Sequence, residues 1–516
     1  MPEKPPRNLI IYHPILFSIY PVLVLQANNL DQVHLNAGLR AGLYSLAGGI
    51  LLFLLSRLVL KEWGRAALIS SWAVLLFFSY GHIYGLVEDR SLAGFIYGRH
   101  RFLGPLWLAF LLAGSWWVLK RSQASASLQR LLNATSLVLV LFPVLIIGYH
   151  EVRAWRISNQ PGVKAAADGG NTGQDQTSLP DIYYVILDGY TRADVLRQVY
   201  NFDNTPFLDQ LKSMGFVIPD CAQSNYAWTA LSLSSTLHMN YLETYNPHIQ
   251  APDERPDYLA YQGFIMHNPV REKLAGLGYK MVAFETDFPF TEVTDADIYI
   301  VGNANPLEKM KSGWEVSQFE VLFMRTTALR IFGEAQDAYL KKLVSKIRTP
   351  NEVHYDRIRF VLDQLGTIPS LVPGRKFVFA HLVAPHAPYV FKPDGQYSDV
   401  GSPIIGYPDE IAYLNTRMIQ IVKTILQQSK TPPVIIIQGD HGWDDKNRMA
   451  NLNAYYLPNG GSQRIYPTIT PVNSFRVIFD QYFGGNYNLL EDRSYYSSET
   501  RQFDFKFVPS NCSVNH

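Results

Sequence analysis

The chain has 516 residues with 45 Lys and Arg against 44 Asp and Glu, a balance that excludes a strongly basic nucleic-acid binder and an acidic disordered tail protein. Cys221 and Cys512 are its only cysteines, too few for a disulfide framework or a thiolate zinc cluster, so its chemistry falls to oxygen and imidazole groups. A mean hydropathy near zero averages two unlike parts, an apolar stretch ending at His150 and a remainder with ordinary globular patterning.

Uncharged apolar runs cover Asn8 to Ala27, Ala66 to Val87, Phe102 to Leu119 and Leu131 to His150, and a further run from Ala41 to Leu60 is broken only by Arg57. Each approaches the ~20 residues a helix needs to cross a ~30 Å hydrocarbon layer. A cleaved leader would account for the first run and not for the others, and no small-residue cleavage site follows it. Five transmembrane helices are expected, with Arg57 snorkelling near the end of its span and His13 and His82 making interfacial or interhelical hydrogen bonds.

Lys4, Arg7, Lys61, Arg65, Lys120, Arg121 and Arg130 flank one set of span ends, and Arg40, Arg90, Arg99 and Arg101 the other. Cationic flanks stay in the cytoplasm, so the bias places the N-terminus inside. An odd number of spans then carries everything after His150 outside the cytoplasmic membrane. Trp155, between Arg153 and Arg156, reads as an interfacial anchor.

Residues Ile157 to Pro180 are rich in Gly, Asn, Gln, Asp and Ala without apolar periodicity, the composition of a flexible tether. From Asp181 onward, short β-branched and aromatic runs alternate with amphipathic stretches. Strands are expected at Ile182 to Leu187, Lys280 to Glu285, Lys376 to Val383 and Val434 to Gln438, and helices at Thr205 to Met214, Pro269 to Leu277, Val353 to Leu365 and Asp409 to Gln428. Uninterrupted apolar strands of this kind are covered on both faces, so residues 181–516 are expected to form an α/β domain with a mostly parallel central sheet.

Open α/β sheets bind ligands beyond the carboxyl ends of their strands. Three of the strands run into Asp188-Gly189-Tyr190, Gly439-Asp440-His441-Gly442 and Ala384-Pro385-His386-Ala387-Pro388. Asp188, Asp440 and His441 make an oxygen-dominated set suited to Zn²⁺ or Mn²⁺, with Mg²⁺ as a harder alternative, and leave a fourth position to be filled. Each also has an ordinary reading, since Asp after a strand commonly caps a helix or closes a turn.

These residues resemble the alkaline phosphatase and sulfatase superfamily, in particular its membrane-bound branch of lipoteichoic acid synthases and lipid A phosphoethanolamine transferases. The matching segments are "YYVILDGY" with Asp188, "NTPFLDQLKSMGF" from Asn204 to Phe216, "APHAPYVF" from Ala384 to Phe391 and "QGDHG" from Gln438 to Gly442, in matching order from Asp181 to about Asp445. Apolar spans followed by an external sulfatase-like domain are similar to that branch.

The resemblance implies a nucleophile in "QSNYAWTALSLSST", where Thr229 matches the transferase threonine; the segment lacks the Cys/Ser-x-Pro-x-Arg signature of formylglycine sulfatases. A threonine oxygen there would also complete the ligand set of one divalent metal. Ser232, Ser234 and Ser235 are competing hydroxyls. The resemblance carries contact with the transferred group over to His386, with Asn225 and Arg448 as further substrate-binding candidates, while His381 reads as a buried, hydrogen-bonded core histidine. A second metal would need ligands such as His386 and Asp394, and the usual later histidine has no counterpart after Tyr466.

The function expected is a metal-dependent phospho-transferase or phosphodiester hydrolase acting on phospholipid head groups or envelope glycans. The alternatives are a sulfatase-type ester hydrolase and a membrane protein that keeps the fold without turnover. Cys221 and Cys512 both fall on the external side, where oxidation is permitted, but spacing alone cannot place them within bridging distance, and two separate, buried thiols are expected.

Overall fold

The structure is a computed structural model and describes residues 9–30, 32–88, 90–92, 95–96, 98–122, 124–158, 179–245, 258–302, 314–333 and 347–510. The chain divides into two compact units, Met1–Ala154 with Met310–Pro350, and Trp155–Lys309 with Asn351–His516. Apart from its two ends, the expected tether at 157–180 lies outside the described residues.

The N-terminal part of the first unit is built on the helices α1 (His13–Asn28), α2 (Leu39–Leu60), α3 (Trp63–Val87), α4 (His100–Lys120) and α5 (Ala126–Ser158). Among the described residues, four helices are long and apolar enough to cross a membrane, Leu35–Leu60, Trp63–Val87, His100–Lys120 and Ala126–Arg156. The first apolar run is the exception among the expected spans. Its helix begins only at His13, with Pro14 in the first turn, where a missing N–H costs nothing. Its 16 residues reach about 24 Å at 1.5 Å per residue, short of a ~30 Å layer.

Polar side chains join these helices. His13 is buried, with Nδ1 2.7 Å from Ser71 Oγ of α3 and Nε2 2.8 Å from Gln129 Oε1 of α5, the interhelical role expected of it. Asn133 of α5 accepts from the backbone N–H of Tyr12 and His13 at 3.1 Å and so satisfies two donors at the start of α1. The chain returns to this unit at 310–350, where the helix Gln318–Thr326 packs against α3.

The second unit is built on a six-stranded sheet. Its strands are β1 (Ile182–Leu187), β2 (Lys280–Phe284), β3 (Ile298–Ile300), β4 (Lys376–Leu382), β5 (Val434–Gln438) and β6 (Asn453–Tyr456), in the order β6-β5-β1-β4-β2-β3. Only the β5–β6 pair is antiparallel. The strands expected from sequence are all present to within a residue of their ends.

Every residue of β1, β4 and β5 is buried because side chains on both faces meet apolar helices. Tyr183, Val185 and Leu187 pack with Ile358, Leu362, Ile411 and Leu414 of two covering helices, Pro350–Leu365 and Pro403–Gln428. Ile182, Tyr184 and Ile186 face Leu233 and Leu237 of the helix α6 (Thr229–His238) and Phe475 of the helix Ser474–Tyr482. Full burial of one such side chain stabilises by roughly 1.5–3 kcal/mol, so this two-sided core makes the ends of β1, β4 and β5 a firm platform.

Candidate metal centre and active site

The register of β1 and β5 pairs Ile186 with Gln438. Two residues further along each chain are Asp188 and Asp440, which therefore leave the sheet side by side. On the other flank of β1, Ile186 pairs with His381 of β4, and Asp188 N donates to Leu382 O at 3.0 Å. Gly189 follows with φ +71°, a left-handed conformation that favours glycine, and its N–H donates to Asp440 Oδ1 at 2.8 Å. The turn after β1 thus orients the carboxylate that follows β5.

Asp188, Asp440 and His441 are all buried, and one ligand atom from each lies within 4.8 Å of the others. His441 Nε2 is 3.3 Å from Asp440 Oδ2 and 4.0 Å from Asp188 Oδ1. His441 Nδ1 lies 2.9 Å from Gly442 O, so Nδ1 carries the proton and the Nε2 lone pair faces the carboxylates. Asp188 Oδ1 and Asp440 Oδ2 have no hydrogen-bond partner. Buried carboxylate oxygens without donors are costly, and two of them converging with an imidazole lone pair form a site that a divalent cation satisfies. The oxygen and imidazole donors fit Zn²⁺ or Mn²⁺.

Local charges reinforce the set. Burial alone would raise the Asp188 carboxyl, but His386, then His381 and His441, outweigh it and hold the group below the usual carboxylate range. Burial also lowers His441, against the pull of Asp440 and with help from the Arg448 cation, which keeps Nε2 a free lone pair at neutral pH.

Thr229 is the first residue of α6 and is half-buried, with Oγ1 3.3 Å from His441 Nε2. The helix opens without a side-chain cap, so its first-turn N–H groups and the positive end of its dipole favour negative charge beside Thr229. The competing hydroxyls are placed differently. Ser232 Oγ donates to Asp440 O at 2.7 Å and Ser235 Oγ to Ser232 O at 2.9 Å, while Ser234 is buried without a hydroxyl partner. Ser232 thus ties α6 to the strand end that bears Asp440.

His386 is half-buried, its Nδ1 2.7 Å from Ala387 O and its ring edge-on to Trp443 at 4.7 Å. Nδ1 donates to the carbonyl, and Nε2 is the ring nitrogen outside that bond. Arg448 lies 4.1 Å over the Trp228 ring, donates through Nε to Ala227 O at 2.7 Å, and brings Nη2 to 3.4 Å from His441 Nε2. It is a fixed cation beside His441 and the Ala227–Trp228 segment that leads into Thr229. Asn225 is fully buried, and its amide serves the backbone: Oδ1 accepts from Val472 N and Nδ2 donates to Arg493 O, both at 2.8 Å. Asp394 is exposed in a turn, where Oδ1 accepts from Gln396 N at 3.0 Å.

His381 is buried and hydrogen-bonded as expected, Nδ1 lying 3.0 Å from Thr291 Oγ1, and it also places Nε2 3.4 Å from Asp188 Oδ2. That second contact was hidden in the sequence, because only the β1–β4 register brings the two residues together. His354, on the helix Pro350–Leu365, is a further buried histidine whose pKa is pushed down to about 3 by burial, then by Arg357 and His386. An apolar helix face gave no signal for it.

No protein-family model and no curated protein matches the chain. Among solved structures, it is similar to the integral membrane protein lipooligosaccharide phosphoethanolamine transferase A from Neisseria meningitidis, at 11% identity over 88% of this chain and 89% of that one, with a TM-score of 0.36. It is also similar to the C-terminal periplasmic domain of EcEptC from Escherichia coli in complex with Zn, at 11% identity over 59% and 82%, TM-score 0.34. The lipoteichoic acid synthase LtaP from Listeria monocytogenes gives 11% identity over 63% and 77%, TM-score 0.36. At such identities and TM-scores the functional reading stands on the chain's own residues.

Proposed function

We propose that this protein is a membrane-anchored, metal-dependent phospho-transferase or phosphodiester hydrolase that works outside the cytoplasm through Thr229, with a phospholipid head group or an envelope glycan as its substrate. The observation that carries the reading is the convergence of Asp188, Asp440 and His441 on one point with the Thr229 hydroxyl beside it. Asp188, Asp440, His441 and Thr229 would hold one Zn²⁺ or Mn²⁺. When bound, the cation lowers the hydroxyl pKa and offsets negative charge on the transferred group.

Thr229 Oγ1, its proton lost to solvent, attacks phosphorus, and the Oγ1–P bond forms as the bond to the donor's oxygen breaks. His386, protonated at Nε2, gives that leaving oxygen its proton. Arg448 and the N-terminus of α6 stabilise the charge spread over the phosphoryl oxygens. In the second half, neutral His386 takes a proton from an acceptor alcohol or water as its oxygen attacks phosphorus and Oγ1 leaves. Asn225 holds the backbone at Val472 and Arg493 in this scheme.

The four spanning-length helices, the Lys and Arg bias and the bonded state of Cys221 support an external site. Cys221 is disulfide-bonded, against the expectation of a separate thiol, and Cys512, the other cysteine of the sequence, lies outside the described residues. Disulfides persist in oxidising compartments. With a cytoplasmic N-terminus, an external catalytic unit requires α1 to cross together with the other four, its short apolar core being extended by the non-helical Leu9–Tyr12.

Incubating the purified protein with phospholipids labelled in the head group, alongside labelled sulfate esters, tests the reading. Label from a phospholipid should pass to the protein; label only from sulfate esters, or none, would contradict it.

A further inference from the structure

Residues 314–333 lie between strands of the soluble sheet in sequence, yet they belong to the first unit. The helix Gln318–Thr326 starts with a capping box, Ser317 and Glu320 exchanging hydrogen bonds with each other's backbone N–H. Phe319 and Phe323, 1% and 7% exposed, fill a cluster with Val22 of α1, Ala41 of α2 and Phe78 of α3. Arg40 pairs with Glu320, Arg330 pairs with Glu88 and lies 4.4 Å over the Tyr84 ring, and Ala328 N donates to Phe77 O at 2.9 Å. The approach is close at Gly81, where any Cβ would run into the backbone of Arg325 and Thr326. This is a built contact, held by apolar, charged and backbone interactions together.

Its level on the bundle is defined. The segment meets the end of α1, the start of α2 and the last part of α3, and Gly81 is six residues from the end of α3. At 1.5 Å per residue that is about 9 Å inside the bundle's end, the depth at which an interfacial helix lies. The outward side of the segment is apolar: Leu322, Leu329 and Phe332 are 40%, 37% and 59% exposed. Arg325 is exposed among them, and Leu39, Leu43 and Leu86, at the adjoining ends of α2 and α3, are exposed too. The segment therefore exposes apolar side chains at the same end of the bundle as the spanning helices do.

We infer that residues 318–333 form an interfacial membrane element whose outward face, Leu322, Leu329 and Phe332, is buried in the phospholipid leaflet, with Arg325 reaching to the head groups. Lipid is the occupant because the segment is built onto the spanning helices near their end, at the level where their own exposed apolar side chains face acyl chains, and a long basic side chain among apolar ones suits the boundary between tails and head groups. The element gives the soluble chain a second, internal membrane attachment besides α5. The inference rests on the reading of the first unit as membrane-spanning.

The full-length protein in phosphatidylethanolamine and phosphatidylglycerol nanodiscs, doped with a phospholipid bearing a diazirine in its acyl chain, provides the test. After photolysis, peptide mapping should find lipid adducts on Leu322, Leu329 or Phe332 at a level within about threefold of those on Leu43 and Leu51 of α2, as burial in the same leaflet requires. Replacing Leu322→Glu and Phe332→Glu together should remove most of the adducts from the segment and leave α2 labelled as before. Adducts on α2 with none on the segment would overturn the inference and leave the spanning reading intact. Adducts on neither would remove both. Protection of the segment from a water-soluble carbene reagent without lipid adducts would mean that protein covers the face, which also overturns the inference.

Discussion

The hydroxyl oxygen of Thr229 lies 3.3 Å from Nε2 of His441, and the same nitrogen faces two buried carboxylate oxygens that lack donors. The proposed nucleophile and the candidate ligands therefore share one atom's surroundings, and a change to the ligands should be separable from a change to the hydroxyl.

Asp440→Asn keeps the shape of the side chain and removes its charge. Metal content of the purified protein should fall at least tenfold, together with turnover, because a neutral amide is a poor ligand for a hard cation. The soluble unit should stay folded, since Oδ1 can still accept from Gly189. Full metal content in this variant, read by elemental analysis, would remove Asp440 from the ligand set.

His386, the proposed proton carrier, is absent from the converging set of Asp188, Asp440 and His441. In His386→Ala, turnover should fall by roughly 10² to 10⁴, the range for a positioned acid or base, with metal content unchanged. Loss of metal alongside activity would show that His386 is a ligand.

Among the strand-end motifs, position was legible because β1, β4 and β5 are uninterrupted apolar runs, and such runs stop where their cover stops. Asp188, Asp440 and His441 follow directly. The contact between His381 and Asp188 was not legible, since it depends on the pairing of Ile186 with His381. The helix Gln318–Thr326 is not among the helices expected from sequence, and only its packing on α3 shows where it belongs. For α1, apolarity marked the run correctly but could not say that the helix begins as late as His13. The bonded state of Cys221 is not legible in the sequence, because chain spacing carries no information about bridging distance.

His238 is stacked on Tyr245 at 4.1 Å, and burial lowers its pKa to about 4, the Ser234 carbonyl offsetting part of the shift. The unfolded chain then binds a proton near pH 6.5 that the folded chain refuses until about pH 4. Stability from this group is complete above pH 6.5 and is lost progressively as the pH falls towards 4, by an amount on the order of a few kcal/mol. Thermal unfolding of His238→Phe between those pH values should be less pH-dependent than that of the parent; an unchanged slope would remove His238 from the titration.

The bonded state of Cys221 gives a simple count. Protein unfolded without reductant should show no free thiol, and reduction should expose both. Two thiols before reduction would contradict the disulfide and withdraw its support for an oxidising compartment.

The central claim is that Thr229 carries the transferred group. Protein trapped with a phospholipid labelled in its head group, digested and read by mass spectrometry, should hold the adduct on Thr229. Thr229→Ala should lose both adduct and turnover while remaining folded, and Thr229→Ser should keep part of each because a hydroxyl survives. An adduct on Ser232, Ser234 or Ser235, or full turnover in Thr229→Ala, would contradict the account.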